Sequence, residues 1–247
     1  MNCNCESIDL NHFTSSLAKR NKFCLNKDPI TSPVFERAPI TRDTRVVCMP
    51  CMFGREAYTL VKRGLKAKNI FALERDKEVH QELINCRHPE RKLLKGMQTT
   101  ECPMYASKGV DRAWLTFSEK VDIAYFDFFG QPDYMEHGVN VIRKIFELQM
   151  LKKDAALILT FGKTRCHSST KHMNSAQFNK ELIKQYKLTH CLATELFVGA
   201  ALKEFDIKDY RLQSYPYIST GGNNRRLQYL TTILTLGKFN KINLLTY

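Results

Sequence analysis

From Arg45 onwards, short apolar runs alternate along the chain with segments whose apolar residues recur at helical spacing. Apolar runs of this length, without internal alternation, are typical of strands that are buried on both faces of a parallel sheet. The predicted strands are 45–50 (RVVCMP), 69–73 (NIFAL), 93–100, 121–126 (VDIAYF) and 155–161 (AALILTF). The predicted helices are 54–65, with Gly64 as a C-terminal stop, 77–86, 133–150, 174–187 and 192–205. Strands that alternate with helices predict right-handed crossovers and a mostly parallel sheet.

Two β-rich runs at the end of the chain break this alternation. Residues 210–219 and 227–237 are joined by TGGNNRR, a connector rich in turn-forming residues. They predict an antiparallel hairpin that closes an otherwise parallel sheet of seven strands. Flavodoxin-like and dinucleotide-binding sheets do not usually end in this way, so the hairpin is the best discriminator among the doubly wound folds.

The first 44 residues differ from the rest. They are polar, are interrupted by Pro29, Pro33 and Pro39, and have no sustained period. We interpret them as an N-terminal arm or cap on one domain of residues 45–247, since a chain of 247 residues suffices for one sizeable core.

The chain is strongly basic, with 38 Lys and Arg residues, 25 Asp and Glu residues and a formal net charge of +13. Basic residues exceed acidic ones in each of the segments 1–45, 46–120 and 121–247, so the charge is not confined to a tail. A surface of this kind attracts polyanions. It predicts a nucleic-acid partner, DNA or RNA, with simple solubility as the alternative.

Cysteine usage and the N-terminus bear on the compartment. The nine cysteines are an odd number, and MNCNCESIDL lacks the basic start and apolar run of a signal peptide. These features predict reduced thiols in an intracellular protein, either cytoplasmic or nuclear. Cys48 and Cys51 have metal-like spacing, but no second pair follows, so we expect no metal site. No apolar run approaches the length of a membrane span, so we expect no membrane partner.

Ligands of open α/β sheets bind at the carboxyl ends of the strands, where two acidic residues stand out. The first predicted strand leads into a turn with one glycine, Gly54, and Glu56 follows in the first helical turn, where a carboxylate is stabilised and can meet an ammonium group. The second strand ends at Glu74, and a carboxylate there can accept both ribose hydroxyls of a nucleoside. If that nucleoside is adenosine, Arg75 and Asp76 would flank the adenine.

The fourth predicted strand ends in Asp127-Phe128-Phe129-Gly130-Gln131-Pro132. An exocyclic amine is a poor nucleophile because its lone pair is delocalised into the ring. An acceptor at Asp127 would hold such an amine and orient the lone pair, and Phe129 would stack on the base.

A basic, hydroxyl-rich segment follows the fifth predicted strand and suits phosphate contacts, with a solvated loop as the alternative. The candidate phosphate-binding residues there and in the terminal connector are Lys163, Arg165, Lys171, Arg225 and Arg226.

The order of elements from 45 to 237, with these strand ends, resembles the class I, Rossmann-like methyltransferases that use S-adenosylmethionine (SAM). The fourth-strand motif is similar to the Asp/Asn-Pro-Pro-Tyr/Phe motif of amino-group methyltransferases, and most closely to the Asp-Pro-Phe-Gly form of tRNA guanine-N2 dimethyltransferases. The resemblance implies SAM as cofactor and a base nitrogen of nucleic acid as the methyl acceptor. The cofactor-binding residues would be Pro50, Cys51, Met52, Gly54, Glu56, Glu74 and Arg75, and the catalytic residues would be Asp127, Phe128, Phe129 and Gly130.

Two departures from the family pattern keep a second hypothesis open. The first motif usually has two or three glycines, and Phe128 stands where the fourth motif has proline. A catalytically degenerate protein of this fold, binding nucleic acid or a protein partner, is therefore the alternative. A nicotinamide-dependent enzyme would need Gly-x-Gly-x-x-Gly after the first strand, which this chain lacks.

Overall fold

The computed structural model describes residues 31–50, 55–74, 76–85, 93–101, 106–117, 119–128, 141–163, 198–220 and 226–241. Seven strands form one sheet: β1 (Val46–Cys48), β2 (Ile70–Glu74), β3 (Gln98–Glu101), β4 (Val121–Phe128), β5 (Leu151–Lys163), β6 (Tyr210–Thr220) and β7 (Arg226–Leu236). Their order in the sheet is β3-β2-β1-β4-β5-β7-β6. The first four neighbouring pairs are parallel, and β7 runs antiparallel to both β5 and β6. The predicted parallel sheet with a terminal hairpin is confirmed.

Helices cover both faces of the sheet. They are α1 (Thr31–Arg37), α2 (Arg55–Lys62), α3 (Lys77–Asn85), α4 (Ala106–Phe117), and the helical residues 141–147 (α5) and 198–204 (α6). Short 3-10 helices occupy Ala67–Asn69 and Gly237–Lys241. Within the described ranges, no helix is long and apolar enough to cross a membrane.

Alternate strand residues are buried in two different layers, because successive side chains of a strand point to opposite faces. Val47 and Phe126 belong to the core that includes residues of α4, α5 and α6. Cys48 and Tyr125 belong to the core that includes residues of α1 and α2, which we call the α1–α2 face.

Most predicted elements match the structure to within a few residues, and the best matches are β1, β2 and β4. Gly64 has a φ of +99° just after α2, where the sequence predicted a stop. The helix predicted over 133–150 is present at 141–147, and the one predicted over 192–205 is present at 198–204. Residues 133–140, 174–187 and 192–197 lie outside the described residues.

The prediction for residues 93–100 was wrong in part. The strand predicted over 93–100 begins only at Gln98, because Met97 N donates to Leu94 O in a turn and Gly96 takes a φ of +91°. Helix α4 was not predicted at all. Its residues that pack in the core have helical spacing, a usable signal: Val110, Ala113, Trp114 and Phe117.

Strand β5 is longer than its apolar run. It begins at Leu151, although the run begins at Ala155, because the pairing with β4 shifts register between Val121 and Ile123. This irregularity accommodates the polar residues 152–154 within the strand.

Candidate active site at the carboxyl edge

The strand order reverses at β1, where ligands of open α/β sheets bind. The chain passes from β1 to β2 on one side, and β4 lies on the other side of β1. Cys48, the last residue of β1, is level with Ala72 and Tyr125. Glu74 and Asp127 therefore each lie two residues beyond the end of β1, on the two strands that flank it.

Strand alternation places Glu74 and Asp127 on the same side of the sheet. Glu74 is four residues from Ile70, and Asp127 is two residues from Tyr125, so their side chains point to the same side of the sheet as these two buried residues of the α1–α2 face. Because two strand spacings separate β2 from β4, their Cα atoms are about 10 Å apart. The turn that follows β1 thus begins between two carboxylates.

A third carboxylate, Glu56, lies at the start of α2 on this side of the sheet. Burial raises the pKa of the Cys48 thiol well above its usual value, and the negative charge of Glu56 raises it further. Cys48 is therefore a neutral core residue close to Glu56. The atoms Oε2 of Glu56 and Oδ1 of Asp127 are both buried.

The turn after β1 is described only at its start. Met49 N donates a hydrogen bond to Tyr125 O over 3.0 Å, and Pro50 is buried. Cys51, Met52 and Gly54 lie outside the described residues.

Hydrogen bonds of the loop after β2 position Glu74. Asp76 N donates to Glu74 Oε1 over 2.8 Å. The side chain of Asp76 in turn accepts from Glu78 N at 2.9 Å and Val79 N at 3.2 Å, so Asp76 caps the N-terminus of α3. The sequence prediction placed Asp76 beside adenine and missed this capping role. Arg75 lies outside the described residues.

Sequence reasoning missed a fourth carboxylate at this edge. Glu101 ends β3 as the direct partner of Glu74. The sequence contained a signal for this carboxylate, because Glu101 directly follows the predicted third strand, which stopped at Thr100. Nearby, His80 Nε2 lies 3.2 Å from Thr99 Oγ1. Burial lowers the pKa of His80, and the negative charge of Glu101 opposes that shift.

On the next strand, β5, polar residues lie level with Asp127 and beyond it. Thr160 is the partner of Asp127, and its Oγ1 lies 2.9 Å from Thr231 Oγ1 in a buried hydroxyl pair. Phe128 is the last residue of β4 and pairs with Phe161 through the backbone. Phe129 and Gly130 lie outside the described residues.

Two of the candidate phosphate-binding residues are at the same edge by backbone placement. Lys163 ends β5, three residues beyond Thr160, and pairs with Gln228. Arg226 begins β7 and pairs with Thr220, the last residue of β6. Arg165, Lys171 and Arg225 lie outside the described residues.

Comparison with known proteins defines the fold. No protein-family model matches the chain, and no curated protein matches it. The plantazolicin methyltransferase BpumL in complex with SAH is 10% identical over 91% of this chain and 92% of its own, with a TM-score of 0.52. A SAM-dependent methyltransferase from Anabaena variabilis is 8% identical over 88% of this chain and 87% of its own, with a TM-score of 0.51. This chain has the Rossmann-like fold of class I methyltransferases, as the sequence predicted.

Proposed function

We propose that this protein is a SAM-dependent methyltransferase that methylates an exocyclic amine of a base in DNA or RNA. The observation that carries the proposal is the placement of Glu74 and Asp127. They lie level with each other on one face of the sheet, on either side of the turn after β1. In this fold, that edge is where a nucleoside cofactor and its substrate can meet.

The residues present fit the functional groups of SAM. Glu74, held by the amide of Asp76, would accept the ribose hydroxyls. Glu56 would meet the ammonium group, Arg75 would flank the adenine, and the turn at Pro50, Cys51, Met52 and Gly54 would hold the methionine portion. Carboxylates at this edge also favour a ligand that carries a sulfonium cation. When bound, SAM would supply an electrophilic methyl group, so the protein mainly has to bind and orient.

Asp127 would orient the methyl acceptor. Its carboxylate would accept a hydrogen bond from the exocyclic N–H, which directs the nitrogen lone pair towards the methyl group. Methylation of the nitrogen would release one proton, which can pass to solvent, so the role of Asp127 is to hold and orient the amine. Phe129 would stack on the base, with Phe128 and Gly130 completing the acceptor site, as in the tRNA guanine-N2 form that the motif most resembles.

A nucleic-acid substrate is supported by charge. The net charge is +13. By backbone placement, Lys163 at the end of β5 and Arg226 at the start of β7 belong to the same edge of the sheet as Asp127. Phosphate contacts of this kind position a nucleic acid without reading its sequence. We place the protein inside the cell, where SAM and nucleic acids are both present.

The second candidate function is a catalytically degenerate protein of this fold that binds nucleic acid or a protein partner. The features that favour it are the single glycine, Gly54, and Phe128 in place of proline. The two candidates differ in whether a bound substrate becomes methylated.

Calorimetric titration with SAM and SAH, followed by incubation of DNA and RNA with methyl-labelled SAM, tests the proposal. The nucleic acid is digested, and the nucleosides are identified by mass spectrometry. We expect SAM binding and a nucleoside that is methylated on its amino group. Binding of nucleic acid without methyl transfer would support the degenerate protein, and the absence of SAM binding would exclude the methyltransferase.

A further inference from the structure

The carboxyl edge of the sheet is divided by charge. We define its first half as the ends of β3, β2, β1 and β4 with the starts of α2 and α3, and its second half as the ends of β5 and β6 with the start of β7. The acidic residues of the described part of the first half, which outnumber its cations Arg55 and Lys77, are Glu56, Glu74, Asp76, Glu78, Glu101 and Asp127. The charged residues of the second half, in the described strands, are Lys163 and Arg226. A cationic cofactor and a polyanion would each meet opposite charge along one edge.

The second half also extends further than the first. Strand β4 ends at Phe128, which pairs with Phe161, and β5 continues for two more residues to Lys163. The β6–β7 hairpin then continues beyond the level of Lys163 to the pair of Thr220 and Arg226. The hairpin therefore projects past the edge at which Asp127 lies.

Register gives the distances between these positions. Lys163 lies one strand across from Asp127 and three residues further along, so their Cα atoms are about 11 Å apart. Arg226 lies two strands across and five residues further along, which places it about 20 Å from Asp127. In a stacked nucleic-acid strand, 20 Å corresponds to about six nucleotides.

We propose that the second half of the edge binds the phosphodiester backbone of a polymer several nucleotides away from the base held at Asp127. This inference rests on the proposed function and deepens it. The substrate is an oligonucleotide or longer nucleic acid with nucleotides flanking its target base, and a nucleotide or dinucleotide is a poor substrate because it cannot reach Arg226.

The test compares Arg226→Ala with Arg211→Ala. Both are arginines of the β6–β7 hairpin, but Arg211 is exposed near the opposite end, where it pairs with Thr235. Methylation of a dinucleotide and of oligonucleotides of increasing length is measured with each protein. Binding of the longest oligonucleotide is measured by fluorescence anisotropy against salt concentration, a readout that does not depend on catalysis.

For the wild type, we expect kcat/KM to rise at least several-fold with length and then to reach a plateau. Arg226→Ala should reduce this length preference several-fold, and the slope of log affinity against log salt should become shallower by about 0.7–0.9, the loss of one phosphate contact. Arg211→Ala should change neither quantity. Equal use of short and long substrates by the wild type, or equal behaviour of the two variants, would overturn the inference while leaving the proposed function intact. Failure of the wild type to methylate any nucleic acid would instead overturn both.

Discussion

At the scale of single residues, Glu74 has the most direct expected consequence for cofactor binding. Replacement by Ala removes charge-assisted hydrogen bonds to the ribose, which should weaken SAM binding by about 1.5–3 kcal/mol. Calorimetry gives the affinity, and circular dichroism checks the fold. Glu74→Gln is the matched control, because its amide oxygen still accepts from Asp76 N and should retain part of the affinity. Wild-type affinity in Glu74→Ala would remove the ribose assignment.

Asp127 should affect transfer and leave cofactor binding nearly unchanged. Asp127→Ala should abolish methylation, since the proposed partner of the carboxylate is the target amine. Asp127→Asn should keep part of the rate, because the amide oxygen still accepts a hydrogen bond. Single-turnover rates and SAM affinities are measured for both variants. A wild-type rate in Asp127→Ala would place the catalytic site elsewhere.

Thermal stability separates a catalytic Asp127 from a structural one. If Asp127 were needed only for packing, Asp127→Ala would lower the melting temperature as well as the methylation rate.

Phe129 should affect substrate binding. In Phe129→Ala, loss of the stacked base should weaken substrate binding by about 1–3 kcal/mol, whereas Phe129→Tyr should be tolerated.

Cys48 offers a check on the geometry beneath the site. Its thiol is buried and its pKa is raised by burial and then by Glu56, so near pH 8 less of it is thiolate than in the unfolded chain. Because the thiolate is the reactive form, native Cys48 should be alkylated by iodoacetamide far more slowly than in denaturant. Peptide mapping by mass spectrometry measures both rates. Equal rates would contradict the buried position at the end of β1.

At the scale of elements, the start of α3 depends on one cap. Asp76→Ala removes the acceptor for Glu78 N and Val79 N and should cost about 1 kcal/mol of unfolding free energy. Asp76→Asn is the control, since asparagine caps about as well. Denaturant titration with an unchanged m-value measures the loss. If the two variants are equally stable, the capping assignment is wrong.

The turn after β7 requires glycine. Gly237 has a φ of +54°, and a Cβ there would meet Asp154 Oδ1 and lie 2.8 Å from Lys153 O. Gly237→Ala should therefore lower the melting temperature, since the left-handed backbone alone costs about 1–2 kcal/mol. Gly199→Ala in α6 is the matched control, because a Cβ there meets nothing within 4 Å and alanine favours helix. An equal response of the two variants would contradict this account.

At the scale of the whole molecule, α1 bears on the proposed boundary between an arm of residues 1–44 and a domain of 45–247. Phe35 is 1% exposed, and its ring meets Tyr125 edge-on with 5.3 Å between centroids. Val34 and Ala38 are buried in the same core. Arg63, which directly follows α2, donates to the backbone oxygens of Phe35 and Ala38. Residues of the predicted arm or cap therefore form part of the core that includes Tyr125 of β4.

Two truncations test that boundary. Deleting 1–44 removes Val34 and Phe35, each worth about 1.5–3 kcal/mol by burial, a large share of the 5–15 kcal/mol that stabilises a typical domain. It should lower the melting temperature strongly or prevent folding. Deleting 1–30 keeps α1 and these contacts, so it should cost much less. Equal stability of the two truncations would support a domain that begins at residue 45.

Several elements could be predicted from the sequence because their signals are local. A strand that is buried on both faces must be largely apolar, so β1, β2 and β4 were visible as short runs. The terminal hairpin was visible from its turn residues. Helix α4 also had a local signal, although it was not recognised. Glu74 and Asp127 were found because each follows such a run directly.

Only the tertiary structure decided which strands are neighbours and which side chains share a face. The sequence does not state on which side of β1 each later strand is placed, because the order β3-β2-β1-β4 depends on the direction of each crossover. Nor does it state register, and a shift of one residue would move a side chain to the other face. Glu101 beside Glu74, Phe35 against Tyr125 and the projection of β7 beyond β5 all arise from pairings between distant segments. The local pattern of apolar residues therefore determined the elements and the strand-end carboxylates, whereas long-range packing and register brought those carboxylates together.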